Sequence, residues 1–126
     1  MNKTKTIDIQ ALRKDAENSE HKEAYRVLDR SSNYRIGVGA RLTPSGQPSF
    51  FLEVVVQSCL ESSEVDLQLL EKSLVFLKEL KARGYSLNCE GDGSISCEVT
   101  VSPQNVASEY ETIRLTIKNI FLWCKS

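Results

Sequence analysis

Along four stretches of this chain every second residue is apolar, and that alternation limits the possible folds more than any other feature of the sequence. One set reads Tyr34, Ile36, Val38, Ala40, Leu42, then Phe50, Leu52, Val54, Val56, then Tyr85, Leu87, Cys89, then Ile95, Cys97, Val99, Val101. Between them stand Arg35, Gly37, Gly39, Arg41, Phe51, Glu53, Val55, Gln57, Ser86, Asn88, Glu90, Ser94, Ser96, Glu98 and Thr100, and only Phe51 and Val55 among these are large and apolar. Side chains on a strand alternate between faces with period two. Four strands are therefore expected, sharing one dry face and one wet face of arginine, glycine, carboxylate and hydroxyl.

The segments around the strands read as helices and turns. Asp8 offers an N-cap, and residues 8–30 are rich in helix formers with little apolar material, so one long helix or two short ones broken near Asn18-Ser19 are expected. Residues 1–6 read as a disordered tail and 7–126 as a single domain. Thr43-Pro44-Ser45-Gly46-Gln47-Pro48 is a turn between the first two strands. Ser62 or Ser63 can cap a second helix, with Glu64 and Asp66 in its first turn. Leu69, Leu70, Ser73, Leu74, Leu77 and Leu80 form its apolar stripe, widened by Leu67 and Phe76, and Lys78, Lys81, Arg83 and Gly84 mark its end. Ser102-Pro103 opens a last helix with Val106, Tyr110, Ile113, Ile117, Ile120, Phe121 and Cys124 on its stripe, leaving Leu115, Leu122 and Trp123 outside it.

Residues that oppose one another across a hairpin share a face, so Cys89 must lie opposite Ile95 or Cys97, and the loop between them must hold an odd number of residues. Gly91-Asp92-Gly93 satisfies this. The expected fold is α+β: a two-layer sandwich with a four-stranded antiparallel sheet, two helices on one face, and the order α-β-β-α-β-β-α. The chain order makes the second and third strands parallel, so the sheet order is 2-1-3-4 or 1-2-4-3.

The chemistry is sparse. Four cysteines, Cys59, Cys89, Cys97 and Cys124, form no Cys-x-x-Cys pair and read as reduced thiols, with Cys89 and Cys97 pointing into the core; no metal or other cofactor is expected. His21 is the only histidine and lies in a polar stretch beside Glu20 and Glu23, which is a poor setting for general base catalysis. Gly37-Val38-Gly39 lies inside a strand and lacks the helix that a phosphate-binding turn requires. No catalytic constellation is evident.

A net charge of −1, and Glu53, Glu90 and Glu98 on the wet face, disfavour nucleic acid. The basic start of the chain is followed by no long apolar run, so neither a signal peptide nor a membrane segment is expected, and the location is read as cytoplasmic. Arg35, Gly37, Gly39, Arg41, Phe51 and Glu53 make up the candidate binding site. The two glycines expose backbone between two arginines, and Phe51 adds an apolar spot. The expected function is a small soluble interaction or regulatory module that associates with itself or a protein partner. The alternative is a small anionic ligand, or an enzyme site, on the open sheet face.

Overall fold

Asp8 opens the first helix, as its position suggests. Its side chain accepts a hydrogen bond from the Ala11 backbone N at 3.0 Å, and α1 runs over Ile9–Asn18 with Leu12 and Ala16 buried. This computed structural model describes residues 7–31, 34–56, 67–91 and 94–121. The tail 1–6, the capping residues 62–66, Cys59, Cys124, Leu122 and Trp123 lie outside that set, as do two of the three hairpin-loop residues, Asp92 and Gly93.

The chain does not stay helical to residue 30. After Asn18 the Ser19 N–H donates to Ala16 O at 3.3 Å, Lys22 takes a positive φ of 57°, and Lys22 Nζ donates to Glu17 O at 3.0 Å. These contacts close the helix and turn the chain into a strand, β1 (Glu23–Arg30). The helical expectation for this stretch therefore fails. Helix propensity is a weak preference, and here tertiary pairing overrides it. The segment shows no period-two pattern, because Tyr25 and Val27 on the outer side are apolar as well as Ala24 and Leu28 on the inner side. Arg26, on the inner side, pairs with Asp15 of α1.

The remaining elements are β2 (Tyr34–Leu42), β3 (Pro48–Val56), α2 (Leu67–Ala82), β4 (Ser86–Cys89), β5 (Ile95–Val101) and α3 (Val106–Phe121), the last entered through a 3₁₀ turn at Pro103–Asn105. The sheet has five strands in the order β1-β2-β3-β5-β4, with every neighbour antiparallel. The α+β class stands. The strand count is five rather than four, the element order is α-β-β-β-α-β-β-α, and all three helices contribute to the core. The four expected strands keep the second of the two proposed orders, and the unforeseen β1 is added beside β2.

The dry face is where the alternation put it. Ile36, Val38, Ala40, Phe50, Leu52, Val54, Val56 and Cys97 are buried against Leu12 and Ala16 of α1, Phe76 and Leu80 of α2, and Val106, Tyr110, Ile113 and Ile117 of α3. Cys89 is the exception: it opposes Ile95 at the end of the four-residue outermost strand and is exposed, while Cys97, opposite Leu87, is buried. Both are free thiols. Glu90 N donates to Ser94 O at 2.8 Å and closes the hairpin across three residues. Gly84, at φ +96°, ends α2: its N–H reaches Lys81 O at 3.0 Å and Tyr85 N reaches Leu80 O at 3.1 Å, the two bonds of a Schellman motif. The inward side of α2 is Ser73, Phe76 and Leu80. Leu74 faces out, contrary to its expected place on the buried stripe, because it lies about 100° around the helix from Ser73.

Candidate functional site

The wet face carries the residues the sequence singled out, and the structure brings them together in an unexpected way. Gly39 of β2 opposes Tyr25 of β1 on one side and Phe51 of β3 on the other. The Phe51 ring lies directly on Gly39, where an added Cβ would sit 2.1 Å from Cζ. Tyr25 reaches diagonally over Gly37, where an added Cβ would sit 2.0 Å from its hydroxyl oxygen. The glycines are thus not an open platform for a ligand. They are the recesses into which two aromatic rings lie, so the expected approach of a ligand to bare backbone is corrected.

The arginines form the next layer. The Arg41 guanidinium carbon stands 4.2 Å from the Phe51 ring centroid, and that of Arg35 stands 5.8 Å from the Tyr25 centroid. Both distances are in the range of cation–π contact. Arg41 Nε donates to Glu23 Oε2 at 2.7 Å and its Nη1 to Glu98 Oε2 at 3.3 Å, so one side chain ties the edge strand β1 to β5 across the sheet. These two carboxylates raise the pKa of Arg41, the Glu23 hydrogen bond contributing most. Phe51, although on the wet face, is only 5% exposed as a result.

Glu53 and Glu98 face each other across β3 and β5, an unfavourable pairing of like charges. Each is countered from β2: Glu98 by Arg41, and Glu53 by Arg35, whose Nη2 lies 3.7 Å from Glu53 Oε1. Arg35 Nε is buried and has no hydrogen-bond partner among the described residues. The Tyr25 hydroxyl is pushed up to about 12, first by burial and then by the neighbouring Glu53 carboxylate. Glu23, Tyr25, Arg35, Arg41, Phe51 and Glu53 line an open depression of about 300 Å³.

Within this layer three carboxylates, Glu23, Glu53 and Glu98, outnumber two guanidiniums, Arg35 and Arg41. An excess of carboxylate weighs against a bound anion. Sequence reasoning found Arg35, Gly37, Gly39, Arg41, Phe51 and Glu53 but missed Tyr25 and Glu23, because their strand was read as helix. The available signal was the pair of glycines itself, since a recess on a central strand needs a large neighbour to fill it.

A second group of exposed residues lies on the helical layer. Leu67, Leu74 and Val75 of α2 and Leu115 of α3 are 70%, 49%, 53% and 45% exposed. Leu115 was expected outside the core stripe, whereas Leu74 was not. His21 is exposed in the turn between α1 and β1. Among the described residues no group of His, Cys, Asp and Glu is arranged to hold a metal ion, and no helix is long and apolar enough to cross a membrane. Comparison of the chain with protein-family models, with curated proteins and with solved structures returned no match.

Proposed function

We propose that the protein is a small interaction module that associates with a second copy of itself. The observation that carries this reading is the outward placement of Leu74, Val75 and Leu115 on helices whose opposite sides are buried. Covering outward-facing apolar side chains is favourable by about 25 cal/mol per Å² of apolar area. The wet sheet face supports the reading less well, because its charges are already paired with one another and its glycine recesses are filled. The free thiols of Cys89 and Cys97 fit a reducing compartment such as the cytoplasm.

Sedimentation equilibrium over a concentration series tests the proposal. The weight-average mass should rise from that of the 14.2 kDa chain toward twice that value. A mass that stays at one chain up to about 1 mM, the weak end of specific association, overturns it.

A small anion on the sheet face is a second reading, favoured by the buried Arg35 Nε, which lacks a hydrogen-bond partner among the described residues. Titrating the protein with inorganic phosphate while following the Arg35 Nε–H resonance tests it. A saturable shift supports a site, and an unchanged resonance removes it.

A further inference from the structure

The outer face of α2 matches itself under a two-fold rotation, and this identifies both the contact and the orientation of the second copy. At about 100° per residue, Leu67, Glu71, Leu74, Val75, Lys78 and Ala82 fall within an arc of about 100° on the helix. All six are exposed, and the arc lies opposite the buried Ser73, Phe76 and Leu80. Midway along its length the face is apolar, with Leu74 and Val75 at opposite edges of the arc. On either side of it, at equal distance along the axis, stand one acid and one base, Glu71 and Lys78.

Neither has an ion-pair partner among the described residues. Nor can their own helix supply one. The residues three and four positions away are Leu67, Gln68, Leu74 and Val75 for Glu71, and Leu74, Val75, Lys81 and Ala82 for Lys78.

We infer that two copies associate through α2 packed antiparallel on α2, with the two-fold axis passing between positions 74 and 75. This inference rests on the self-association proposed above. In a two-fold contact, if residue i meets j then j meets i. The rotation gathers Leu74 and Val75 of both copies at the axis. It sets each Glu71 against the partner's Lys78 and each Leu67 near the partner's Ala82. The contact opposes no like charges. A parallel arrangement would instead oppose Glu71 with Glu71 and Lys78 with Lys78. One pair of helices of this length covers less than the roughly 1,200 Å² of small specific interfaces, so a dissociation constant of about 10–1,000 µM is expected.

Charge reversal at two exposed positions tests the orientation without touching the core. Sedimentation is measured at low salt for the natural chain, for Glu71→Lys, for Lys78→Glu, for an equimolar mixture of the two, and for the double variant. Circular dichroism confirms that each is folded. Each single variant should dimerise about tenfold more weakly or worse, since two attractive pairs become repulsive. The mixture and the double variant should both return to near the natural affinity. A natural chain that dimerises while both single variants dimerise equally well overturns the α2 contact and leaves self-association standing. Single variants that weaken with no recovery in the mixture overturn the antiparallel orientation. A natural chain that stays monomeric overturns both.

Discussion

Gly39, Phe51 and Arg41 form a stack in which each member makes room for or covers the next. The ring occupies the recess of the glycine, and the guanidinium closes over the ring, held by Glu23 and Glu98. Gly37 and Tyr25 repeat the arrangement in a looser form, because the Tyr25 ring is 37% exposed. The two glycines should therefore respond differently to the same substitution. Gly39→Ala forces a buried ring to shift and should cost about 1–3 kcal/mol, the usual range for overpacking. Gly37→Ala meets only the far end of an exposed side chain and should be near neutral, since Ala otherwise improves on Gly within a strand by about 0.5–1 kcal/mol. Urea denaturation of the two variants measures the difference, and equal midpoints would contradict the stacking argument.

The buried acids give a second residue-scale prediction. Burial, aided by Glu53, pushes the Cys97 thiol from 9.0 up to about 12. Burial and the Glu109 carboxylate, which accepts the Tyr85 hydroxyl at 3.0 Å, push the Tyr85 phenol far above its usual range. Both groups bind their proton more tightly in the folded chain than in the unfolded one. Their contribution to stability is complete below pH 9 and falls as the unfolded state deprotonates through pH 9 to 12. Denaturant midpoints at pH 8, 10 and 11 should decline in that order.

At the scale of the elements, the sheet edges explain a feature that looks out of place in the sequence. Strand β1 is eight residues long and lies at one end of the sheet, where unpaired backbone invites pairing with another chain. It carries a register shift between Val27 and Asp29, and Arg26 points to the inner side, paired with Asp15. Bulges and inward charges are two recognised ways of blunting an edge. The other edge, β4, is only four residues long. Arg26→Val would make residues 24–28 continuously apolar and remove the guard of β1. The variant should fold but scatter light on heating well before the natural chain, and an unchanged aggregation temperature would count against this role. With both edges guarded in this way, the proposed self-association falls to α2 rather than to a sheet edge.

For the whole molecule, the sheet order places β2, β3 and β5 between neighbours on both sides, while β1 and β4 are held from one side only. Opening free energies are highest where burial and pairing are densest. Amide exchange should be slowest in Ile36–Ala40, Leu52–Val56 and Cys97–Val99, faster in β1, and fastest among the strands in β4. If β1 exchanged as slowly as β3, the reading of β1 as an edge held mainly by β2 and α1 would be wrong. The core cluster also explains why α1 is no loose appendage: Leu12 and Ala16 are buried within it.

What the amino-acid order determined by itself was local. Alternation set which face of each of four strands is dry, because neighbouring side chains on a strand must point opposite ways. Asp8 and Gly84 set one helix start and one helix end, because capping needs only nearby groups. Face parity narrowed the partner of Cys89 to Ile95 or Cys97, and the structure pairs it with Ile95. What the tertiary structure decided was everything that depends on partners distant in sequence. Residues 23–30 become a strand because β2 lies beside them to pair with, and because Asp15 accepts the cation Arg26 on their inner side. The glycines become recesses rather than openings because Tyr25 and Phe51 arrive from the two neighbouring strands. Leu74 faces outward because the packing of α2 on the sheet selects Ser73, Phe76 and Leu80 as its inner side. Helical periodicity permits several apolar stripes, and only the surface that covers the helix chooses one of them.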